Sequence, residues 1–427
     1  MPPPPADTTR PVSALQLLAL GLNGIVGVGI FFIPAAVAAS APGLGAVLVF
    51  AGTGLCLLPA ALTFATLGRR FDEDGGPVVF ARAAFGDGVS FVVGWVAYVS
   101  ALFSTAAVTV GLVRATLPAL GLEGGVFARA APALLVTVFA AIVASGLRLS
   151  ARVWTTLTAL KLLPLLLLVG AFAAAWGRFP VPPAGPPGAG WLRAALVVVF
   201  ACQGFEIVPV IAGQVRASAR AVPLATTGSL AIAILLYAAL VLACVSALPG
   251  LASASAPLAE AAAVLSGDGL RRVVAAGTSV SALGISFGMM VTTPRYLSAL
   301  AAGGRELVGL DRLSRGAVPL RSVAVTWLVV SVLVSLGELG ELFALSSIAV
   351  LMQFGTSALA LVVLARRRER GLRPRDAWPA APTLAVAAVL VATGATAREG
   401  LVATVAVLLG LGLLRLARPR PVPASPA

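Results

Sequence analysis

The sequence contains no histidine, a single lysine and three cysteines, and only 11% of its 427 residues are charged. Each shortage excludes something. A soluble domain carries about 25% charged residues, and a globule with less than half of that could not cover its own surface, so neither a long soluble enzyme nor a disordered chain fits. Without histidine the commonest metal ligand and general base is missing. Cys56, Cys202 and Cys244 lie far apart inside apolar runs, with no ligand spacing. A disulfide framework, a metal site and a cofactor are therefore not expected. What is present is apolar: 59% hydrophobic residues and a mean hydropathy of +1.02. Runs of about 20 apolar residues recur along the whole length, which marks an all-α polytopic membrane protein.

The net charge is +14, carried by 29 arginines and Lys161 against 16 acids. A nucleic-acid binder would cluster such charge on a soluble face; here it sits in short loops, so a lipid bilayer and not nucleic acid is the expected partner. Residues 1–11 and 421–427 read as cytoplasmic tails, the first Pro-rich and polar and therefore disordered. Between them lie twelve expected spans: 12–40, 43–67, 88–117, 130–147, 153–176, 191–213, 225–248, 270–301, 322–337, 340–365, 379–397 and 400–417. If the N-terminus is inside, 21 arginines fall in inner segments, among them Arg10, Arg148, Arg216, Arg315 and Arg420, and seven fall outside. That asymmetry places both termini in the cytoplasm of a multi-pass protein of the cell (plasma or inner) membrane. Two outer loops depart from the short pattern. Residues 177–190 are Pro/Gly-rich, and 249–269 contain a helical stretch around Leu258–Leu265; each either shields an outer vestibule or is a plain tether.

The first span contains Gly24, Gly27 and Gly29 in NGIVGVGIFFIP, and the sixth contains Gln203-Gly204 in VVFACQGFEIVP. Glycine inside a helix costs about 1 kcal/mol relative to alanine, so three within six residues invite unwinding. Backbone that leaves a helix inside lipid must be satisfied by protein, water or ligand. Five spans separate the two breaks, so the second copy runs in the opposite direction. Paired Gly/Pro-interrupted spans at matching places in two halves point to a midplane binding site in an inverted-repeat carrier. Close helix packing through small residues is the alternative reading of the same glycines.

The segment GLNGIVGVGIFFIPAAVAA resembles the first span of the amino acid–polyamine–organocation (APC) transporters, with their G-x-G-[IV]-F turn. FACQGFEIVPVIAGQVRASARAVPLA resembles their sixth span and following loop, GRRFDEDGGPVVFARAAFG the loop between their second and third spans, and PRYLSALAAGGRELVGLDRLSRGAVPLRS the end of their eighth span and its loop. The resemblance covers roughly residues 12–420 in the same order. It implies a fold of 12 transmembrane helices, a LeuT-like 5+5 inverted repeat (12–176 and 191–365) plus two C-terminal helices (379–417). It also implies a secondary amino acid transporter rather than an enzyme.

Carried over residue by residue, the resemblance implies that the backbone N–H groups of Val28, Gly29 and Ile30, beyond the turn at Gly27, hold a substrate carboxylate. Many members carry a small or hydroxyl residue where Val28 stands, so backbone alone would make that contact here. Unpaired carbonyls of Ile25, Phe200 and Gln203, beside Gly204, would take the α-ammonium, and Phe200 falls where relatives place an aromatic gate. Only Lys161, Glu206 and Arg295 are charged well inside spans, and intramembrane ionisable residues are costly enough to be functional candidates. Lys161 lies about 12 Å along its helix from Arg152. In proton-coupled members a fifth-span lysine takes the place of a sodium ion, which makes Lys161 the candidate proton-coupling residue; a snorkelling lysine is the alternative. Glu206 follows the second break at a helix N-terminus, where an acid fixes the unwound loop. Contact with a cationic substrate or a proton relay is its other role. Arg295, near the inner end of the eighth span, reads as structural or gating. Ser346, Ser347, Gln353 and Ser357 of the tenth span are further candidates to face the pocket.

With Glu206 engaged locally, Val28, Phe200 and Cys202 leave a mostly apolar pocket suited to neutral, hydrophobic amino acids. An exchanger or exporter of cationic amino acids or polyamines is the second choice. An ion channel would need a continuous polar pore or a repeated filter loop, and none is evident.

Overall fold

The computed structural model describes residues 12–117, 121–122, 125–146, 151–215, 217–302, 305–306, 309–314 and 318–419. The expected tails at 1–11 and 421–427, together with Arg10, Arg148, Arg216, Arg315 and Arg420 of the charge asymmetry, lie outside the described residues.

The first apolar run is not one helix but two, α1 (Ala14–Ile25) and α2 (Gly29–Ser40), set at 43° to each other. α1 begins in a capping box: Gln16 N–H donates to the Ser13 hydroxyl at 3.3 Å and Ser13 N–H donates to the Gln16 side chain at 2.9 Å, which satisfies two orphan donors at once. Next come α3 (Leu44–Gly68), a short α4 (Pro77–Phe85) in the loop, α5 (Asp87–Thr116), α6 (Gly125–Ala144) and α7 (Ala151–Ala174). The second half opens with α8 (Ala189–Cys202), which gives way to a 3-10 segment at Phe205–Gln214. It continues with α9 (Ser218–Ala247), α10 (Pro257–Ser266), α11 (Asp268–Ala302), α12 (Leu320–Leu336) and α13 (Leu339–Arg367), and the described chain ends with α14 (Ala380–Gly394) and α15 (Ala397–Leu416). Helices coincide with all twelve expected runs. Among the described residues nine helical stretches are long and apolar enough to cross a membrane, and the bent α1–α2 pair makes a tenth. α12 and the apolar part of α7, Leu160–Ala174, are shorter. The only strand pairing among the described residues is two residues long, 305–306 against 418–419. The protein is an all-α polytopic membrane protein.

Both unusual loops have structure to account for them. The Pro-rich segment packs on the α2–α3 turn, where Leu44 N–H donates to the Pro182 carbonyl at 2.9 Å. The helical stretch expected around Leu258–Leu265 is α10.

α5 is the central post, with 94% of its most apolar stretch buried. Lipid gives helices no hydrophobic drive to associate, so hydroxyl pairs and close packing do that work. Along α5, Tyr98 pairs with Thr326 of α12 at 3.1 Å, while Thr105 and Thr109 pair with Thr293 and Ser286 of α11 at 3.1 and 2.7 Å. Ser104 reaches Ser346 of α13 at 2.6 Å. Three neighbouring helices are thereby held to one.

The α14–α15 turn is fastened to the start of α8. Arg193 makes two 2.6 Å hydrogen bonds to the Glu399 carboxylate and a third, at 3.1 Å, to the Gly394 carbonyl. Glu399 is 1% exposed and also closes the capping box of α15 with Thr396. Removing one partner of a buried ion pair strands the other charge. We expect Arg193→Met to cost about 2–3 kcal/mol, discounted from the fully buried case because Arg193 is partly exposed. The double variant Arg193→Met/Glu399→Gln should recover part of that loss. Thermal unfolding in detergent measures both; an Arg193→Met protein that melts with the wild type would remove this pair as a structural tie.

Candidate functional site

α1 stops at Ile25 because Gly24 before it and Gly27 and Gly29 after it offer no side-chain packing to hold the helix, and the geometry turns at Val26 (φ −71°, ψ 85°). α2 restarts at Gly29. α8 stops at Cys202; Gln203 is extended (φ −69°, ψ 159°) and Gly204 has φ +124°, a conformation that L side chains rarely adopt. The two breaks touch backbone to backbone. A Cβ built on Gly204 would lie 2.5 Å from the Gly24 carbonyl carbon and 2.7 Å from Ile25 N, and one built on Gly29 would lie 2.8 Å from Ala201 Cα. Only glycine permits that approach, so the glycines are both breakers and spacers.

Every break leaves polar backbone without a helical partner, and side chains from other helices answer it. Lys161 of α7, 3% exposed, donates through Nζ to the Asn23 carbonyl at 2.7 Å and the Val26 carbonyl at 2.6 Å. A cation at the C-terminal end of α1 also meets the negative end of its dipole. The Tyr237 hydroxyl of α9 donates to the Ile25 carbonyl at 2.8 Å. The expectation of an unpaired carbonyl at Ile25 is therefore corrected: a buried phenol already occupies one of its two lone-pair directions. At the second break, Gly204 N–H donates to Glu206 Oε2 at 2.7 Å. Glu206 thus reaches back over its own turn.

The structure brings Gly27, Val28, Gly29 and Ile30 to one side of this junction and Phe200, Gln203 and Gly204 to the other. As the first residues of a helix, Val28, Gly29 and Ile30 carry N–H groups for which α2 has no acceptor of its own. Val28 and Ile30 are buried, and Ile285 of α11 lies next to Gly27. The Gln203 amide donates to the Ser104 hydroxyl at 3.2 Å and the Ser346 hydroxyl at 3.1 Å, closing a triangle with the Ser104–Ser346 pair. Aromatic layers lie on both sides of this polar triangle along α13. Phe200 stacks on Phe343 at a centroid distance of 4.5 Å, and Phe205 contacts Phe354 and Phe64 at 5.0 and 6.0 Å. Of the other α13 candidates, Ser347 bonds back to the Phe343 carbonyl and the buried Ser357 hydroxyl has no partner among the described residues. Arg295 is exposed on α11 and forms no ion pair with a described residue, so the structure does not bring it to the junction.

Ser104 and Tyr237 are the residues that sequence reasoning missed. Ser100, Ser104, Thr105 and Thr109 carry hydroxyls at helix-face spacing in SALFSTAAVT, a polar stripe that was legible. Nothing around Tyr237 in LLYAALV marks it apart from an ordinary buried aromatic.

The far ends of both broken segments converge on one loop. Val12 N–H donates to the Gln214 carbonyl at 3.1 Å. Asp74, in the FDEDGGP loop after α3, accepts from Gly213 N–H at 3.0 Å and from the Gln214 side chain at 3.1 Å. Gly75 N–H donates to the Val210 carbonyl at 2.9 Å, and Gly75 and Gly76 both have positive φ. Glu73 of the same loop pairs with Arg370 beyond α13 at 2.9 Å.

Comparison with known proteins is consistent along the chain. The family model described as amino acid permease matches residues 12–407. An uncharacterized transporter of Mycobacterium tuberculosis is 28% identical, covering 84% of this chain and 81% of its own length. The branched-chain amino acid permease BcaP of Bacillus subtilis is 24% identical over 89% of this chain and 86% of its own. The vacuolar cationic amino acid transporter 4 of Arabidopsis thaliana is 23% identical over 84% of this chain and 64% of its own.

The contact between the breaks makes a sharp prediction. Gly204→Ala must move Gly24 or distort a left-handed residue, and we expect loss of transport with a lowered melting temperature. Gly52→Ala, on α3 where a Cβ meets nothing within 4 Å, should leave both unchanged or raise stability slightly. Uptake and thermal unfolding of the two variants side by side check this; a fully active Gly204→Ala would contradict it.

Proposed function

The chain belongs to the amino acid permease family, and from that premise we propose that it is a secondary active transporter of neutral amino acids, coupled to protons and working by alternating access. The family already makes it a transporter and not an enzyme. The finer reading rests on one observation: two glycine-broken spans meet backbone to backbone, and the Lys161 ammonium closes the carbonyl end of the first.

The proposed fold is twelve crossings, the ten apolar candidates plus α7 and α12, with both termini cytoplasmic in the cell membrane. The matching breaks in the first and sixth of these support a LeuT-like inverted repeat with α14 and α15 added. In this reading the amino acid's carboxylate docks on the N–H groups of Val28, Gly29 and Ile30, where backbone donors and dipole both favour an anion. Its ammonium lies against the carbonyls of Phe200 and Gln203, with the remaining capacity of the Ile25 carbonyl. The side chain projects toward Phe200, Phe343 and the Gln203–Ser104–Ser346 triangle. Glu206 is engaged by Gly204 N–H, which leaves no spare acid beside the junction for a cationic side chain. That favours neutral substrates over the cationic amino acids named for the plant relative.

Lys161 supplies the coupling. As an ammonium it makes charge-assisted bonds to Asn23 and Val26, about twice as strong as neutral ones. Loss of its proton weakens the hold on the end of α1 and frees that segment to swing. No metal ion is needed: the ammonium occupies the place between carbonyls that a cation would take.

Purified protein in proteoliposomes tests the reading. Labelled leucine uptake should rise severalfold with an acid-outside gradient and be indifferent to sodium, and arginine should compete poorly. Lys161→Met should lose the gradient response while retaining exchange of substrate across the membrane. Sodium-driven uptake, or an unchanged gradient dependence in Lys161→Met, overturns the coupling; selective arginine or agmatine uptake overturns the substrate class.

A further inference from the structure

Six of the ten residues from Arg366 to Arg375 are arginines: Arg366, Arg367, Arg368, Arg370, Arg373 and Arg375. They lie where α13 leaves the apolar layer and before α14 re-enters it, so the turn sits at the membrane boundary. Its backbone is set by left-handed Arg368, Arg370 and Gly371 (φ 55°, 50° and 71°), and buried Leu372 plugs it into the helices beneath. Two of the arginines have work within the protein. Arg367 donates to the Ala84 carbonyl at 3.2 Å and stands 3.7 Å from Glu369. Arg370 pairs with Glu73 and stacks over the Phe71 ring at 4.0 Å. The other four, Arg366, Arg368, Arg373 and Arg375, are exposed and form no ion pair with a described residue.

The nearby acids are already committed. Glu73 and Glu369 serve Arg370 and Arg367, and the Asp376 carboxylate accepts from Arg373 N–H at 2.9 Å. Trp378, 64% exposed, stands at the end of the same turn, and an indole there belongs at headgroup depth. Topology alone asks for cationic excess in a loop. It does not ask for four exposed guanidinium groups, without an ion-pair partner among the described residues, on a short turn beside an interfacial indole.

We propose that this turn is a binding site for anionic glycerophospholipid headgroups of the leaflet it faces. Arg366, Arg368, Arg373 and Arg375 take the phosphates, and Trp378 lies against the ester region. Guanidinium offers planar paired donors that match phosphate oxygens. A juxtamembrane cluster of four or more such cations is drawn to an anionic membrane surface. The same turn carries Arg370, and through Glu73 it touches the loop that holds Gly213 and Gln214. A bound lipid therefore steadies the end of the second broken segment.

The test uses the full chain in nanodiscs of phosphatidylglycerol or of phosphatidylcholine, and native mass spectrometry of protein released from mixed lipid. Wild type should retain phosphatidylglycerol or cardiolipin at least about tenfold over phosphatidylcholine and melt several degrees higher in phosphatidylglycerol. A variant with Arg366, Arg368, Arg373 and Arg375 changed to Gln should lose that preference while melting with wild type in phosphatidylcholine. If the fourfold variant does not fold, the pairs R366Q/R368Q and R373Q/R375Q should each lose part of it, and salt near 1 M should weaken it in wild type by screening. No preference in wild type, or the same preference in the variants, overturns the proposal. So does equal stabilisation by millimolar inorganic phosphate in phosphatidylcholine, which would make this a free-phosphate site.

Discussion

Within a bilayer an unpaired peptide group has no water to turn to, and each one left bare costs several kcal/mol. That constraint governs this protein wherever a span gives up its helix. Broken ends at Ile25 and Cys202 release carbonyls and amides at the centre of the molecule, and several neighbouring buried polar groups answer them. Lys161 takes the carbonyls of Asn23 and Val26, Tyr237 that of Ile25, and Glu206 the amide of Gly204. Two helices that are remote in sequence, α7 and α9, are thus tied to the first stretch of unwound chain, and the second is closed by its own acid. What no described side chain supplies is an acceptor for the first N–H groups of α2, and those are the groups a carboxylate would satisfy.

The same glycines that open the helices also let them meet. Gly204 lies against Gly24 and Gly29 against Ala201, with no room for a Cβ between. Two half-helices in such contact cannot slide independently, and their far ends are joined again where Val12 bonds Gln214 and Asp74 holds Gly213. α5, by contrast, is pinned by hydroxyl pairs to α11, α12 and α13. The polar bonds therefore sort the molecule into a coupled pair of broken spans and a post with its attached helices. Gln203 joins the two through Ser104 and Ser346. A substrate seated at the breaks would lie on that seam, which is where a small ligand can bias one arrangement against another.

Much of this was legible in the sequence because the signals are local. Apolar runs mark helices, and the helices fall on all twelve of them with boundaries shifted by a few residues. NGIVGVG and CQGFE mark breaks because glycine's cost in a helix needs no knowledge of the rest of the fold. Lys161 and Glu206 stand out because charge is rare in lipid. What stayed hidden is pairwise and long-range. Tyr237 looks like any buried aromatic until the fold places its hydroxyl 2.8 Å from Ile25, 212 positions away. The Arg193–Glu399 clasp escaped for the same reason, since both residues read as ordinary loop charges near span ends. Arg295 stood out by the same rarity of charge, and the structure shows it exposed on α11, away from the junction.

Lys161 and Glu206 repay comparison, because the same environment gives them different scope. Each answers a backbone group at a break. Glu206 bonds an amide two residues before itself, so its carboxylate travels with the turn it caps, and motion of that segment need not break the bond. Lys161 reaches from α7 to carbonyls more than 130 positions earlier, so its bonds must stretch or break if α1 moves relative to α7. A group whose hydrogen bonds lie across a moving boundary can make motion depend on its charge; one whose bonds lie inside a moving piece can only keep that piece in shape. On this argument a proton delivered to Lys161 has a conformational consequence and one delivered to Glu206 has mainly a local one. That is the physical reason for proposing the lysine for coupling and the acid for architecture.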